Sequence, residues 1–214
     1  MTVVNVAIES MLEERSQIMP PCLLEPCLLD VRNVKLTVTP EHFDRLCIQN
    51  PDLRLELTKD GELIVMSPTG GESGKKNGHL FGEVWYWNRQ TDRGEVFDSS
   101  TGYDFTAIGG GKMSPDVSWI EQSRLVGVDL VGFIPIVPDF VIELRSATDN
   151  LKVLQEKMAE YRRLGVRFGL LINPKNQQIE MYRPGQDVVV LELPNTIDCG
   201  EVMPGFVLSL DRIW

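Results

Sequence analysis

A chain of 214 residues, 43% hydrophobic and 24% charged, is long enough to bury one substantial core and falls within single-domain range. Its formal charge of −10 argues against a protein that grips nucleic acid through a broadly basic surface, because phosphate binding needs an excess of Lys and Arg there. The longest apolar stretches, such as Phe133 to Phe140, are broken by Pro135 and Pro138, and Met1 to Arg15 carries Glu9, Glu13 and Glu14 where a secretory signal would be basic and then apolar, so a soluble, cytoplasmic protein with no membrane partner is expected.

Residues 1–34 show no sustained periodicity and contain the Pro20-Pro21 step, which reads as a loosely ordered arm ahead of a domain over 35–214. Within the arm, Cys22 and Cys27 offer half a zinc site at most, since only His42 and His79 could complete it. Four irregularly spaced cysteines make no disulfide framework, and neither histidine stands in a nucleophile context. Thr39-Pro40 then opens a helix with Phe43, Leu46 and Cys47 on one stripe, ending before Asn50-Pro51. Two strands, Leu53 to Thr58 and Glu62 to Met66, flank Lys59-Asp60-Gly61, a hairpin signal.

The Gly-rich stretch from Ser67 to Gly74 is read as a surface loop leading into a helix from Lys75 to Gln90, with Leu80, Val84 and Trp87 on one face and Glu83 at its border. It is no phosphate-binding P-loop, because its glycines are too close and no Ser or Thr follows the lysine. Strands follow at Glu95 to Asp98, Met113 to Glu121 and Pro138 to Arg145. A helix from Asn150 to Leu164, stopped by Gly165, carries the stripe Leu151, Leu154, Met158 and Tyr161. Phe168 to Ile172, Gln178 to Tyr182 and Val188 to Leu193 complete an α/β (α+β) pattern, a mixed central sheet flanked by helices.

Chemistry concentrates in two strands that each begin near Pro-Asp. Period-2 alternation puts Asp139, Val141, Glu143 and Arg145 on one side of the second strand, and Asp116 with Ser118 on one side of the first. A carboxylate inside an apolar strand is costly to bury unless it is paired or bound to a cation. Two on neighbouring strands point to Mg²⁺ or Mn²⁺, and phosphodiester hydrolysis needs such a cation with an ammonium nearby. The structural alternatives are a strand-start cap for Asp116 and an ion pair with Arg145 or Arg162 for Glu143. Of the basic residues, Lys75-Lys76 and the set Lys157, Arg162, Arg163 and Arg167 are the densest, with Arg124 and Arg145 nearer the two carboxylates.

The segments MSPTGGESGKKNG, FDSSTGY, SPDVSWI and PDFVIELRSATD, and the K-x-x-x-Y helix followed by Gly165-Val166, together resemble the Uma-type restriction endonuclease family of the PD-(D/E)xK nuclease superfamily, over about residues 37–193. The resemblance implies a restriction-endonuclease-like fold and a Mg²⁺-dependent endonuclease acting on DNA. Asp116 and Glu143 match the two acidic motif residues and become metal ligands. The superfamily's lysine position holds Arg145, whose guanidinium stays protonated and cannot act as a base. The substitute is Lys157, four residues before Tyr161 on the same helix face, and Glu83 resembles an additional helical metal ligand. Cutting both strands of a duplex usually takes two active sites, so a homodimer is compatible with this reading. Arg145 and the acidic surface favour the alternative of a catalytically degenerate module that binds nucleic acid or protein.

Overall fold

The computed structural model of the chain describes residues 3–5, 28–30 and 34–214. The arm expected over 1–34, with Cys22, Cys27 and the Pro20-Pro21 step, lies outside the described residues except for a short antiparallel pair, β1 (Val3–Asn5) and β2 (Leu28–Asp30). Thr39 caps α1 (Pro40–Gln49) by accepting the His42 N–H at 3.3 Å, and Pro40 sits where its missing amide hydrogen costs nothing. β3 (Arg54–Leu57) and β4 (Leu63–Met66) form the expected hairpin, with Gly61 at φ 81° in its turn.

α2 (Gly71–Thr91) starts at Gly71, not Lys75, so the Gly-rich stretch supplies the N-cap, Gly70, and the first turn of the helix. Next come β5 (Gly94–Asp98), β6 (Tyr103–Asp104), a 3-10 turn, β7 (Lys112–Met113), β8 (Val117–Glu121) and the short α3 (Gln122–Leu125). β9 (Phe140–Leu144), α4 (Leu151–Leu164), β10 (Phe168–Asn173), β11 (Gln178–Tyr182) and β12 (Val189–Glu192) follow, then β13 (Thr196–Asp198) and β14 (Val207–Ser209). Asn150 caps α4 by accepting the Lys152 N–H at 3.0 Å, and Gly165 ends it at φ 102°.

Six strands form the main sheet in the order β12-β11-β10-β9-β8-β5, with only β9 and β10 parallel. A parallel pair needs a crossover, and α4 provides it. One face carries α2, whose Leu80, Val84 and Trp87 pack on Val117, Trp119, Phe140 and Ile142. The other face carries α4, whose Met158 and Tyr161 lie among Val141 and Leu171.

The hairpin β3–β4 does not extend this sheet. It belongs to a second sheet in the order β4-β3-β7-β6, and the run read as one strand from Met113 to Glu121 is two. Pro115 has no amide hydrogen for a ladder, so the chain leaves β7 in one sheet and enters β8 in the other across Ser114-Pro115-Asp116. Gly111 lets the two backbones of the second sheet meet, since a Cβ there would collide with the Leu57 carbonyl. The short elements β6, α3 and β13–β14 carry no periodic signal. The last pair nevertheless adds Ile197, Leu208 and Phe206 to the core under α2. Among the described residues, no helix is long and apolar enough to cross a membrane.

Candidate active site

Alternation along β9 sends Phe140, Ile142 and Leu144 into the core under α2 and turns Glu143, 4% exposed, toward α4. The antiparallel ladder pairs Val117 with Ile142, and one step further sets Asp116 opposite Glu143. Asp116 is half-buried just before β8, and its Oδ2 accepts the Leu144 N–H at 2.8 Å. From α4, the Lys157 ammonium lies 2.9 Å from Glu143 Oε1 and 2.8 Å from Glu56 Oε1, and it donates to the Ser114 carbonyl at 3.0 Å. Glu143 and Lys157 are thus in contact, with Asp116 beside them on the adjacent strand. Tyr161, one turn beyond Lys157, is fully buried with its ring 5.8 Å from the ammonium.

Burial dominates the electrostatics. It pushes the Glu143 carboxyl up to about 8, against the pull of Lys157, while Asp116 and Glu56 add to the rise. Burial also raises Asp116, opposed by the Leu144 N–H and the charges of Lys157 and Arg54. For Lys157 burial works the other way, yet Glu143 and Glu56 outweigh it and hold the ammonium protonated far above its usual range. Two glutamates on one ammonium, with Asp116 on the adjacent strand, cannot all ionise cheaply, which is the charge balance a further cation corrects.

Glu56 is the residue that sequence reasoning missed. It is 5% exposed between Leu55 and Leu57 on β3, and its Oε1 also accepts the Ser114 N–H at 2.7 Å. The signal was the one used for Glu143, a carboxylate inside an apolar strand, but β3 was not known to face this centre from a second sheet. Glu83 is the opposite case, a residue that the structure does not bring to the other acidic groups. It is exposed on α2, and α2 covers the face of the main sheet away from Glu143 and α4.

Of the structural alternatives, Asp116 does cap a backbone amide, that of Leu144. Arg145 does not pair with Glu143. Its guanidinium bonds the Asp149 carbonyl at 3.3 Å and Asn173 Oδ1 at 3.2 Å. Arg162 bonds the Gln186 carbonyl at 3.1 Å. Asp139 shapes the start of β9, taking Arg124 at 2.6 Å, Arg167 at 3.3 Å and the Glu121 N–H at 2.9 Å, so Arg124 is drawn to the far end of the sheet from Glu143. The other buried lysine, Lys112, is a structural clamp held by Asp44 at 2.6 Å and Asp104 at 2.9 Å.

Among the described residues, no three His, Cys, Asp or Glu side chains draw together into a ready cation cage. Mg²⁺ does not require one, because it keeps several waters and is commonly held by one or two carboxylates together with substrate phosphates. Asp116 and Glu143 fit that mode. They are oxygen donors opposite one another on adjacent strands, and Glu143 Oε1 and the Tyr161 hydroxyl are both buried without a well-directed hydrogen bond.

The family described as "Putative restriction endonuclease", Uma2, matches residues 40–211. No curated protein matches the chain. A crystal structure of "a putative nuclease belonging to DUF820" from Anabaena variabilis ATCC 29413 superposes with a TM-score of 0.64 at 21% identity, covering 74% of this chain and 88% of that one. That likeness establishes a restriction-endonuclease-like fold for the chain.

Proposed function

The chain belongs to the Uma2 family, and on that premise we propose that it is a metal-dependent endonuclease hydrolysing phosphodiester bonds in DNA, with Asp116, Glu143 and Lys157 as its catalytic residues. The observation that carries the reading is the meeting of the Asp116 carboxylate, the Glu143 carboxylate and the Lys157 ammonium at one end of the main sheet. Asp116 and Glu143 would hold Mg²⁺ or Mn²⁺, which supplies Lewis-acid polarisation of the phosphate and a more acidic water. Lys157, held protonated by its two glutamates, stabilises negative charge on the phosphate oxygens and orients the water instead of taking its proton. Glu56 fixes that ammonium and the Ser114 amide with one oxygen, and so sets the distance between Lys157 and the segment bearing Asp116. The rigid frame of two sheets and α4 leaves these groups little reorganisation to make during the reaction.

The test is cleavage of plasmid and linear DNA with Mg²⁺ or Mn²⁺ by the wild type and by Asp116→Ala. Wild-type cutting should depend on the cation, and the variant should lose at least about 100-fold, the upper end of what even a supporting group contributes at a metal site. Equal cutting by the two proteins, or a wild type that cuts no nucleic acid with either cation, refutes the proposal. If both strands of a duplex are cut, sedimentation should find the homodimer that supplies a second centre.

A further inference from the structure

The main sheet's register fixes what stands beside the carboxylates. Asp98 pairs with Val117, Val117 with Ile142, and Leu144 with Ile172. One step further along, Ser99, Asp116 and Glu143 fall in one row, with Arg145 and Asn173 just beyond it on β9 and β10. Two half-buried arginines are anchored to this row, one on each side. Arg54, two residues before Glu56 on β3, donates to the Ser99 carbonyl at the end of β5. Arg145, two residues after Glu143, donates to the Asp149 carbonyl and to Asn173 Oδ1.

Both guanidiniums have only neutral partners among the described residues. The two lysines of the interior are neutralised, Lys112 by two aspartates within 4 Å and Lys157 by two glutamates, while Arg162, the other half-buried guanidinium held by a carbonyl, lies at the Gln186 turn and not beside the carboxylates. A guanidinium anchored by carbonyls keeps donors and its full charge for an outside anion, and its planar fork suits phosphate oxygens. The two anchors are separated by the spacings β5–β8, β8–β9 and β9–β10, about 14 Å at ~4.8 Å per step. At about 3.4 Å of axial rise per phosphate on one strand, that span covers about four phosphates. The carboxylate pair lies between the anchors, where the middle of such a run would sit.

We propose that Arg54 and Arg145 are the phosphate-gripping residues of this chain, holding backbone phosphates of a nucleic-acid strand on either side of Asp116 and Glu143. The assignment rests on the nuclease reading for its ligand and explains how a chain of formal charge −10 approaches a polyanion at all. On the two flanks of the carboxylates these guanidiniums supply positive charge whatever the net charge of the chain.

The experiment is fluorescence anisotropy with labelled DNA and RNA oligonucleotides in EDTA, so that binding is read without cleavage, at salt concentrations from about 50 to 200 mM. Arg54→Gln and Arg145→Gln should each bind more weakly and each lower the slope of log affinity against log salt by about 0.7 to 0.9, with the double variant losing about twice that. Arg93→Gln, exposed beside β5 at the other end of the sheet, removes the same charge and should leave the slope as in wild type. Arg54→Lys and Arg145→Lys keep the charge and should also keep the slope, which separates phosphate contact from a structural role. The DNA and RNA arms show which strand chemistry is held.

Wild-type slopes in both glutamine variants, equal losses in Arg93→Gln, or lost slope in the lysine variants overturn the assignment and leave the nuclease reading standing. A wild type that binds neither strand overturns the assignment as well. Binding with the expected slopes by a protein that never cuts upholds the two arginines while the nuclease reading falls.

Discussion

Replacing Lys157 by Met keeps most of the apolar stem and removes an ammonium 2.8 Å from Glu56 and 2.9 Å from Glu143. Breaking a buried ion pair by deleting one partner costs about 3–5 kcal/mol, because the surviving charge stays buried without compensation. For a chain of this length that corresponds to a fall in Tm of about 6–20 °C. The loss should depend on pH. The folded protein holds the Glu143 proton up to about 8, against an ordinary 4.5, so the stability tied to the protonated form is present below 4.5 and is lost as pH rises through 8. Without Lys157 the Glu143 carboxyl keeps its proton to still higher pH, so the two proteins lose stability in parallel between 4.5 and 8 and the variant's deficit widens only above pH 8. Urea unfolding of both proteins with EDTA at several pH values reads the difference directly. A deficit under about 1 kcal/mol, or one that does not widen as the pH rises above 8, would refute the account of a buried, mutually dependent group of charges.

Glu83→Gln should leave Mn²⁺ affinity, read by calorimetry, within about twofold of wild type, since Glu83 is exposed on the helix that covers the opposite face of the sheet. Asp139→Ala should lose about 1–3 kcal/mol in denaturant unfolding, mainly by leaving the Glu121 N–H without its acceptor, since Arg124 and Arg167 are exposed enough to regain water, with unchanged Mn²⁺ affinity. Burial pushes the Cys199 thiol up to about 12, so peptide mapping after alkylation of the native protein at mildly alkaline pH should find Cys199 unmodified until denaturant is added.

Periodicity made much of this molecule legible. Alternation in β9 and the four-residue spacing of Lys157 and Tyr161 depend only on local geometry, and both survive in the fold. Which surfaces meet is a different kind of information. Glu83 stands at the edge of a real apolar stripe, but the stripe does not say which side of the sheet α2 will cover. Glu56 stood in an equally suggestive strand, but its role required knowing that β3 lies in a second sheet whose Glu56 reaches Lys157 on α4. Pro115 was the local hint of that division, an amide-less residue inside a run otherwise apolar enough to look like one strand. The three-residue strands β13 and β14 gave less still, being too short for a period of 2 to stand out.

The shared oxygen of Glu56 has a consequence in the order of synthesis. Glu56, Asp116, Glu143 and Lys157 come from successive parts of the chain, and Glu56 and Lys157 are separated by 101 positions. A chain that has emerged only as far as β9 holds Glu56 and Glu143 without the ammonium that bridges them. Only the arrival of α4 supplies the ammonium that links β3 to β9, so the groups proposed to cut a phosphodiester come together late in synthesis.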